Sequence, residues 1–200
     1  IFQSLTIDTM KHLKIYSILL VLGLLVGACK TEMIEPIDLN ALETGGYIRT
    51  VSPYPVSSSS FTYKVSAIAT SKMEFLAEAV TPSFGALFSS YDLVIKFVDA
   101  TPANGTKTTA QLTLKSIPAS SFTKDPSSGY PRATIAITAT EALTATKLAA
   151  SDISVGDSFE IVGTMKLTNG KTYTNTNTGP NITGGAFYSS PFFYKVNVIQ

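Results

Sequence analysis

The chain has 200 residues, 15 basic and 14 acidic, for a formal net charge of +1 with one histidine and one cysteine. A near-neutral chain has no basic field to steer nucleic acid, and a lone cysteine cannot close an internal disulfide. The length fits one ordinary domain with a core of its own.

Residues 1–9 carry no targeting character, and Met10 is expected to be the true start. Lys11 and Lys14 precede an apolar run from Ile15 to Leu25, with the small residues Gly27 and Ala28 just before Cys29. A basic start, an apolar segment of about 7–15 residues and small residues at the cut describe a secretory signal. The run falls short of the roughly 20 apolar residues that span a bilayer. Leu25-Val26-Gly27-Ala28-Cys29 resembles the bacterial lipobox. The resemblance implies that residues 1–28 are a cleaved signal peptide and that Cys29 receives a diacylglycerol and opens the mature chain. That cut removes Lys11, Lys14 and Asp8, so basic and acidic residues then balance. It also removes His12, the sole histidine, and the sequence has no tryptophan. Zinc or copper sites of the usual kind, a histidine base and a Ser-His-Asp triad are therefore not expected, and neither a metal nor a cofactor is assigned.

Residues 29–44 read as a lipidated tether, acidic and interrupted by Pro36. Its reach is about 50 Å at roughly 3.3 Å per residue. In lipoproteins of this type an aspartate after the cysteine marks inner-membrane retention, and Lys30 stands there instead. Glu32 and Glu35 loosely resemble an acidic surface-export signal.

From Gly45 the apolar residues alternate, which predicts half-buried strands. The predicted strands are Tyr47–Val51, Phe61–Ala67, Met73–Ala79, Tyr91–Val98, Gln111–Ile117 and Ala133–Ala139. Ser57–Ser60 reads as a loop. Thr140 reads as the N-cap of a short helix over Ala142–Ala150, with Glu141 favourable in its first turn. Phe159–Thr168 and Lys171–Thr174 flank Asn169-Gly170, the preferred pair for a type I′ hairpin. Asn175–Gly185 reads as a flexible loop, and Phe192–Val198 as the last strand. The whole predicts an all-β domain over 45–200, a single antiparallel β-sandwich, immunoglobulin-like or similar, with one short helix.

Catalytic patterns are few. Ser121-Phe122-Thr123-Lys124 matches Ser-x-x-Lys, but Pro118 and Pro126 bracket it and the partner motifs are missing. Gly170-Lys171-Thr172 lacks the first glycine of a phosphate loop, because Met165 stands there. Asp92, Asp99, Asp125, Asp152 and Asp157 match no calcium-loop spacing. Glu74, Glu78 and Asp92 are the only clustered acids for carboxylate chemistry. Among the aromatics, Tyr91, Phe97, Phe159, Phe192 and Tyr194 fall on predicted inner faces. Tyr54, Tyr130, Tyr188 and Phe193 fall in loops or on outer faces, and they are the ligand-binding candidates.

Several segments together resemble a known group. They are Ile117-Pro118-Ala119-Ser120-Ser121-Phe122, Pro131-Arg132-Ala133-Thr134-Ile135, Thr140-Glu141-Ala142-Leu143, Gly156-Asp157-Ser158-Phe159, Leu167-Thr168-Asn169-Gly170-Lys171-Thr172-Tyr173 and Gly184-Gly185-Ala186-Phe187-Tyr188-Ser189-Ser190-Pro191-Phe192. Over about residues 45–200 the chain resembles uncharacterised surface lipoproteins encoded beside SusC/SusD-type outer-membrane uptake pairs. The resemblance implies an accessory role in nutrient capture and carries no residue roles. The expectation is a non-enzymatic lipoprotein, anchored in the outer membrane through Cys29 on its periplasmic or cell-surface side, with the surface preferred. Its partners would be a SusC/SusD-type barrel complex and a glycan or peptide, with no nucleic acid. A structural or adhesive module binding other proteins is the alternative, and a carboxylate-based glycosidase a remote one.

Overall fold

The structure, a computed structural model, describes residues 45–54, 56, 61–101, 103, 105–185 and 188–200. The signal peptide 1–28, Cys29, the tether 29–44, the Ser57–Ser60 loop and Asn104 lie outside the described residues.

Among the described residues ten strands form two sheets. They are β1 (Tyr47–Ser52), β2 (Phe61–Lys64), β3 (Lys72–Val80), β4 (Phe88–Val98), β5 (Leu112–Pro118), β6 (Thr123–Lys124), β7 (Pro131–Thr138), β8 (Ser158–Leu167), β9 (Thr172–Tyr173) and β10 (Phe193–Ile199). The first sheet has the order β1-β3-β7-β6. The second runs β2-β10-β8-β4-β5, with β9 added beside β8. Helix α1 (Ala139–Thr146) follows β7, and a single turn, α2 (Pro180–Gly184), precedes β10. The fold is the expected all-β sandwich, rich in antiparallel pairs.

Period-two alternation explains the core. Ile48 and Thr50 on β1, Met73, Phe75, Ala77 and Ala79 on β3, and Ile135 and Ile137 on β7 are buried. Facing them are Tyr91, Leu93, Ile95 and Phe97 on β4, Phe159 and Ile161 on β8, and Tyr194, Val196 and Val198 on β10. Phe192, expected inside, is buried just before β10. Aromatic contacts join the two layers. Phe75 stacks on Tyr194 with ring centroids 4.7 Å apart, and it also meets Phe61 at 6.4 Å. Two hydroxyls also cross. Tyr194 shares a 3.0 Å hydrogen bond with Thr50, and Tyr63 donates to the Ile137 carbonyl at 3.0 Å. Each satisfies a polar group that would be costly to bury alone.

One inward position on β8 is empty by design of the packing. Gly163 breaks the series Phe159, Ile161, Met165, and a Cβ there would collide with the ring and hydroxyl of Tyr91. The missing side chain is the space that Tyr91 fills. Its hydroxyl is fully buried beside that of Tyr194.

Local details differ from expectation for identifiable reasons. Strand β2 pairs with β10 in parallel, since the chain crosses from the first sheet to the edge of the second. That strand stops at Lys64, three residues early. Val65–Ala67 form a 3-10 turn, and the Ala67 carbonyl accepts from the N–H groups of Thr70 and Ser71. Thr138, not Thr140, caps α1. Its hydroxyl accepts from the Glu141 N–H while the Glu141 carboxylate accepts from the Thr138 N–H, a reciprocal capping box. The helix ends at Thr146 because Lys147 takes a left-handed conformation with φ 59°. In the β8–β9 hairpin only Gly170 has positive φ, and its N–H bonds the Leu167 carbonyl. This is the three-residue turn with glycine in the bulge, not type I′. The segment expected as loop between 175 and 185 contains α2.

Burial has a pH consequence. Burial raises the phenol pKa of Tyr63 and Tyr91, and it pushes Tyr194 up to about 12 against the opposing hydrogen bond from Thr50. A raised folded pKa means the contribution to stability is complete below the ordinary value of 10.0 and is lost as pH climbs through the folded value. Alkaline titration followed by tyrosinate absorbance should therefore show three tyrosines, Tyr63, Tyr91 and Tyr194, withheld until the chain unfolds. Titration of every tyrosine as one group near its ordinary pKa, with the fold intact, would contradict this burial.

Candidate functional site

The outer face of the first sheet carries a row of charges. Ile48 and Thr50 point inward, so Arg49 points out; by the same alternation so do Glu78 and Arg132. Strand register places Arg49 opposite Glu78, and Glu78 opposite Arg132. Arg49 Nη2 lies 3.1 Å from Glu78 Oε1, and Arg132 Nε lies 2.7 Å from Oε2. The Glu78 side chain is 1% exposed. The β6–β7 hairpin folds over it, and Ser128 donates a third hydrogen bond to Oε2 at 2.7 Å. The hairpin is itself braced. Asp125 accepts from the Ser128 N–H at 2.8 Å and pairs with Arg132 Nη1 at 3.0 Å. The Ser128 N–H holds the Asp125 carboxyl below its ordinary pKa, with Arg132 acting in the same direction against the effect of burial.

One step further along the same face the charges give way to rings. Tyr47 pairs with Val80, two residues on from the Arg49–Glu78 pair. Two residues before Arg132 comes Tyr130, just outside β7. These three residues form one wall of an open groove of about 460 Å³. Tyr173, Thr178 and Ile182 line it from the β9–α2 segment, and Gly45 and Gly46 from the start of the described chain. Among the described residues no charged side chain lines it.

Two of these rings pack against neighbouring aromatics. Tyr47 meets Tyr188 edge-on with centroids 5.3 Å apart, and the next residue, Ser189, accepts from the Thr50 N–H on β1 at 2.7 Å. Tyr130 packs 5.5 Å from Phe84. Phe84 sits in a tight turn where it and Ser83 both have φ 55°, and Gly129 packs against its ring. Burial raises the Tyr47 pKa; Arg49 opposes that shift, while Tyr130, Tyr188 and Glu78 reinforce it. On the far wall Asn177 is tied at both ends, donating one N–H to the Thr172 carbonyl and accepting from the Thr174 N–H. The Thr178 hydroxyl donates to the Thr174 carbonyl at 2.6 Å.

The four aromatic candidates do not converge. Tyr130 lines the groove and Tyr188 buttresses it through Tyr47. Tyr54 is 64% exposed in a separate cleft with Arg49, Thr50, Val51 and Ser189. Phe193 lies on the outer face of the second sheet opposite Val162. Tyr47 and Tyr173 were not among the candidates. The alternation around Ile48 and Thr50 does point Tyr47 outward, so that signal was present. Tyr173 depends on the β8–β9 register, which places it opposite Met165.

The acids are dispersed. Glu74 pairs with Lys72 at the surface, 2.6 Å away. It is four residues from Glu78 on β3, about 13 Å along a strand. Asp92 lies on the outer face of the second sheet, with Lys166 at 2.6 Å and hydrogen bonds from Ser90 and Ser116. Partial burial pushes its pKa up, but those partners outweigh it and leave the carboxyl below its ordinary range. The three carboxylates share no cleft. Asp157, in the turn before β8, is fully buried, accepting from the Ala100 and Ser154 N–H groups and the Thr101 hydroxyl. Asp99 and Asp152 likewise hold backbone N–H groups. Among the described residues no three metal-ligating side chains gather. Ser121 ends a 3-10 turn and Lys124 lies in β6, so no helix returns the lysine to the serine.

No family model matches the chain, and no curated protein matches it.

Glu78 should be the most sensitive charge in the domain. Glu78→Gln leaves two arginines sharing one neutral amide, and removing one partner of a buried pair costs about 3 kcal/mol. Urea denaturation should show that loss with an unchanged slope; a change within about 0.5 kcal/mol would place Glu78 among ordinary surface residues.

Proposed function

We propose that this protein is a lipoprotein anchored in the outer membrane through Cys29. Its sandwich is a non-enzymatic binding component of a nutrient uptake system of the SusC/SusD type, and it faces the cell surface. The observation that carries the binding part is the tyrosine groove. It joins a concave, mostly apolar lining to a few polar groups, the usual make-up of a ligand site. A purely adhesive module would need an apolar tip and no such groove. The dispersal of Glu74, Glu78 and Asp92 removes the cluster on which a glycosidase reading rested.

Anchoring rests on residues 10–29. No helix among the described residues is long and apolar enough to cross a membrane. The lipid would therefore supply the attachment, and an acyl chain contributes about 0.8 kcal/mol per buried CH₂. In a bacterial host, Cys29→Ser should abolish incorporation of labelled fatty acid and release the protein from the membrane fraction. The tagged wild type, solubilised in detergent, should retain a barrel protein. Undiminished labelling in the variant would overturn the anchor, and recovery of the wild type alone would overturn the uptake partner.

A further inference from the structure

We infer that the groove between Tyr47, Tyr130 and Tyr173 takes an uncharged sugar chain, its rings stacked on the tyrosines. This rests on the capture reading and names the ligand class for the same site. A neutral pyranose has two kinds of surface. Its C–H faces are apolar and flat, and its rim carries hydroxyls that both donate and accept. The groove matches both. Two of its tyrosines already pack against other rings, Tyr47 on Tyr188 and Tyr130 on Phe84, which lowers the ordering needed on binding. Thr178 has spent its proton on Thr174, so its oxygen is left to accept. The volume of about 460 Å³ suits roughly two or three sugar rings, within the usual range of small-ligand pockets.

Charge decides against the competing ligands. An acidic polymer would need a cation in the lining, and among the described residues no charged side chain lines the groove: Arg49 is committed to the buried Glu78, and Lys124 lies over the Phe84 ring outside it. An extended peptide would need strand edge or free amides for its backbone. The Thr50 N–H on the β1 edge already bonds the Ser189 carbonyl, and both ends of Asn177 are engaged. A sugar makes neither demand.

The test uses the full-length protein in detergent and affinity electrophoresis through gels containing one polymer each. The neutral polymers are a β-glucan, an α-glucan, a galactomannan and a xylan. Polygalacturonate and a proline-rich peptide serve as the charged and peptide comparators, the peptide measured by calorimetry. At least one neutral polymer should retard the protein, with little dependence on salt. Tyr47→Ala and Tyr130→Ala should each weaken that binding about tenfold or more, whereas Tyr54→Ala and Phe193→Ala should not. Should Tyr47→Ala fail to fold by circular dichroism, Tyr130→Ala and Thr178→Val carry the same test. Retention unaffected by the groove variants would overturn the site. Binding of polygalacturonate or the peptide in place of every neutral polymer would overturn the sugar assignment and leave capture standing. Binding of nothing in the panel would overturn both, and the fate of the anchor would still be read separately from Cys29 labelling.

Discussion

A single carboxylate, Glu78, organises the face of the sandwich that carries the groove. Burying an ion costs several kcal/mol unless its partners are well placed. Here three elements supply them: Arg49 from β1, Arg132 from β7, and Ser128 from the hairpin that closes over the sheet. The carboxylate thereby ties its own strand β3 to β1 on one side and to the β6–β7 hairpin on the other. Tyr47 lies two residues from Arg49, and Tyr130 two from Arg132. The ion-pair row and the tyrosine row are consecutive rungs of one sheet, so the first sets the spacing of the second. Asp125 extends the ladder by bonding both Arg132 and the turn that ends at Tyr130.

The strands of the fold were readable because alternation reports burial directly. Met73–Ala79 includes good helix formers, yet its inward residues match the facing layer and it is a strand. Tertiary packing overrode propensity. The ends of elements were harder. Thr138-Ala139-Thr140-Glu141 has the Thr-x-x-Glu spacing of a capping box, a signal that favours Thr138 over Thr140 and that the Glu141 contact bears out. The parallel pairing of β2 with β10 depends on a crossing between sheets, for which local pattern has no signal. Asn169-Gly170 announced a hairpin correctly and its turn type incorrectly, since one positive φ suffices when the glycine takes the bulge.

The site was half legible for the same reasons. Tyr130 stands beside proline and glycine in an obvious turn, and exposure there was a sound expectation. Tyr47 was recognised as part of a strand but not as its outward face, although Ile48 and Thr50 imply it. Glu78 shows the limit of alternation. The pattern rightly places it on the outer face, but outer does not mean solvated when a hairpin folds over that face. Asp157 teaches the same lesson at the other end of the molecule, where backbone N–H groups replace water around a buried carboxylate. Function on this account comes from shape and uncharged surface, while the acids serve the architecture.

Amide hydrogen exchange on the wild type and on Glu78→Gln tests the organising role of that carboxylate most directly. The account predicts faster exchange concentrated at residues 45–50 and 124–132, with protection retained in β4, β8 and β10. Uniform loss of protection across both sheets, or an unchanged pattern around Tyr47 and Tyr130, would contradict it.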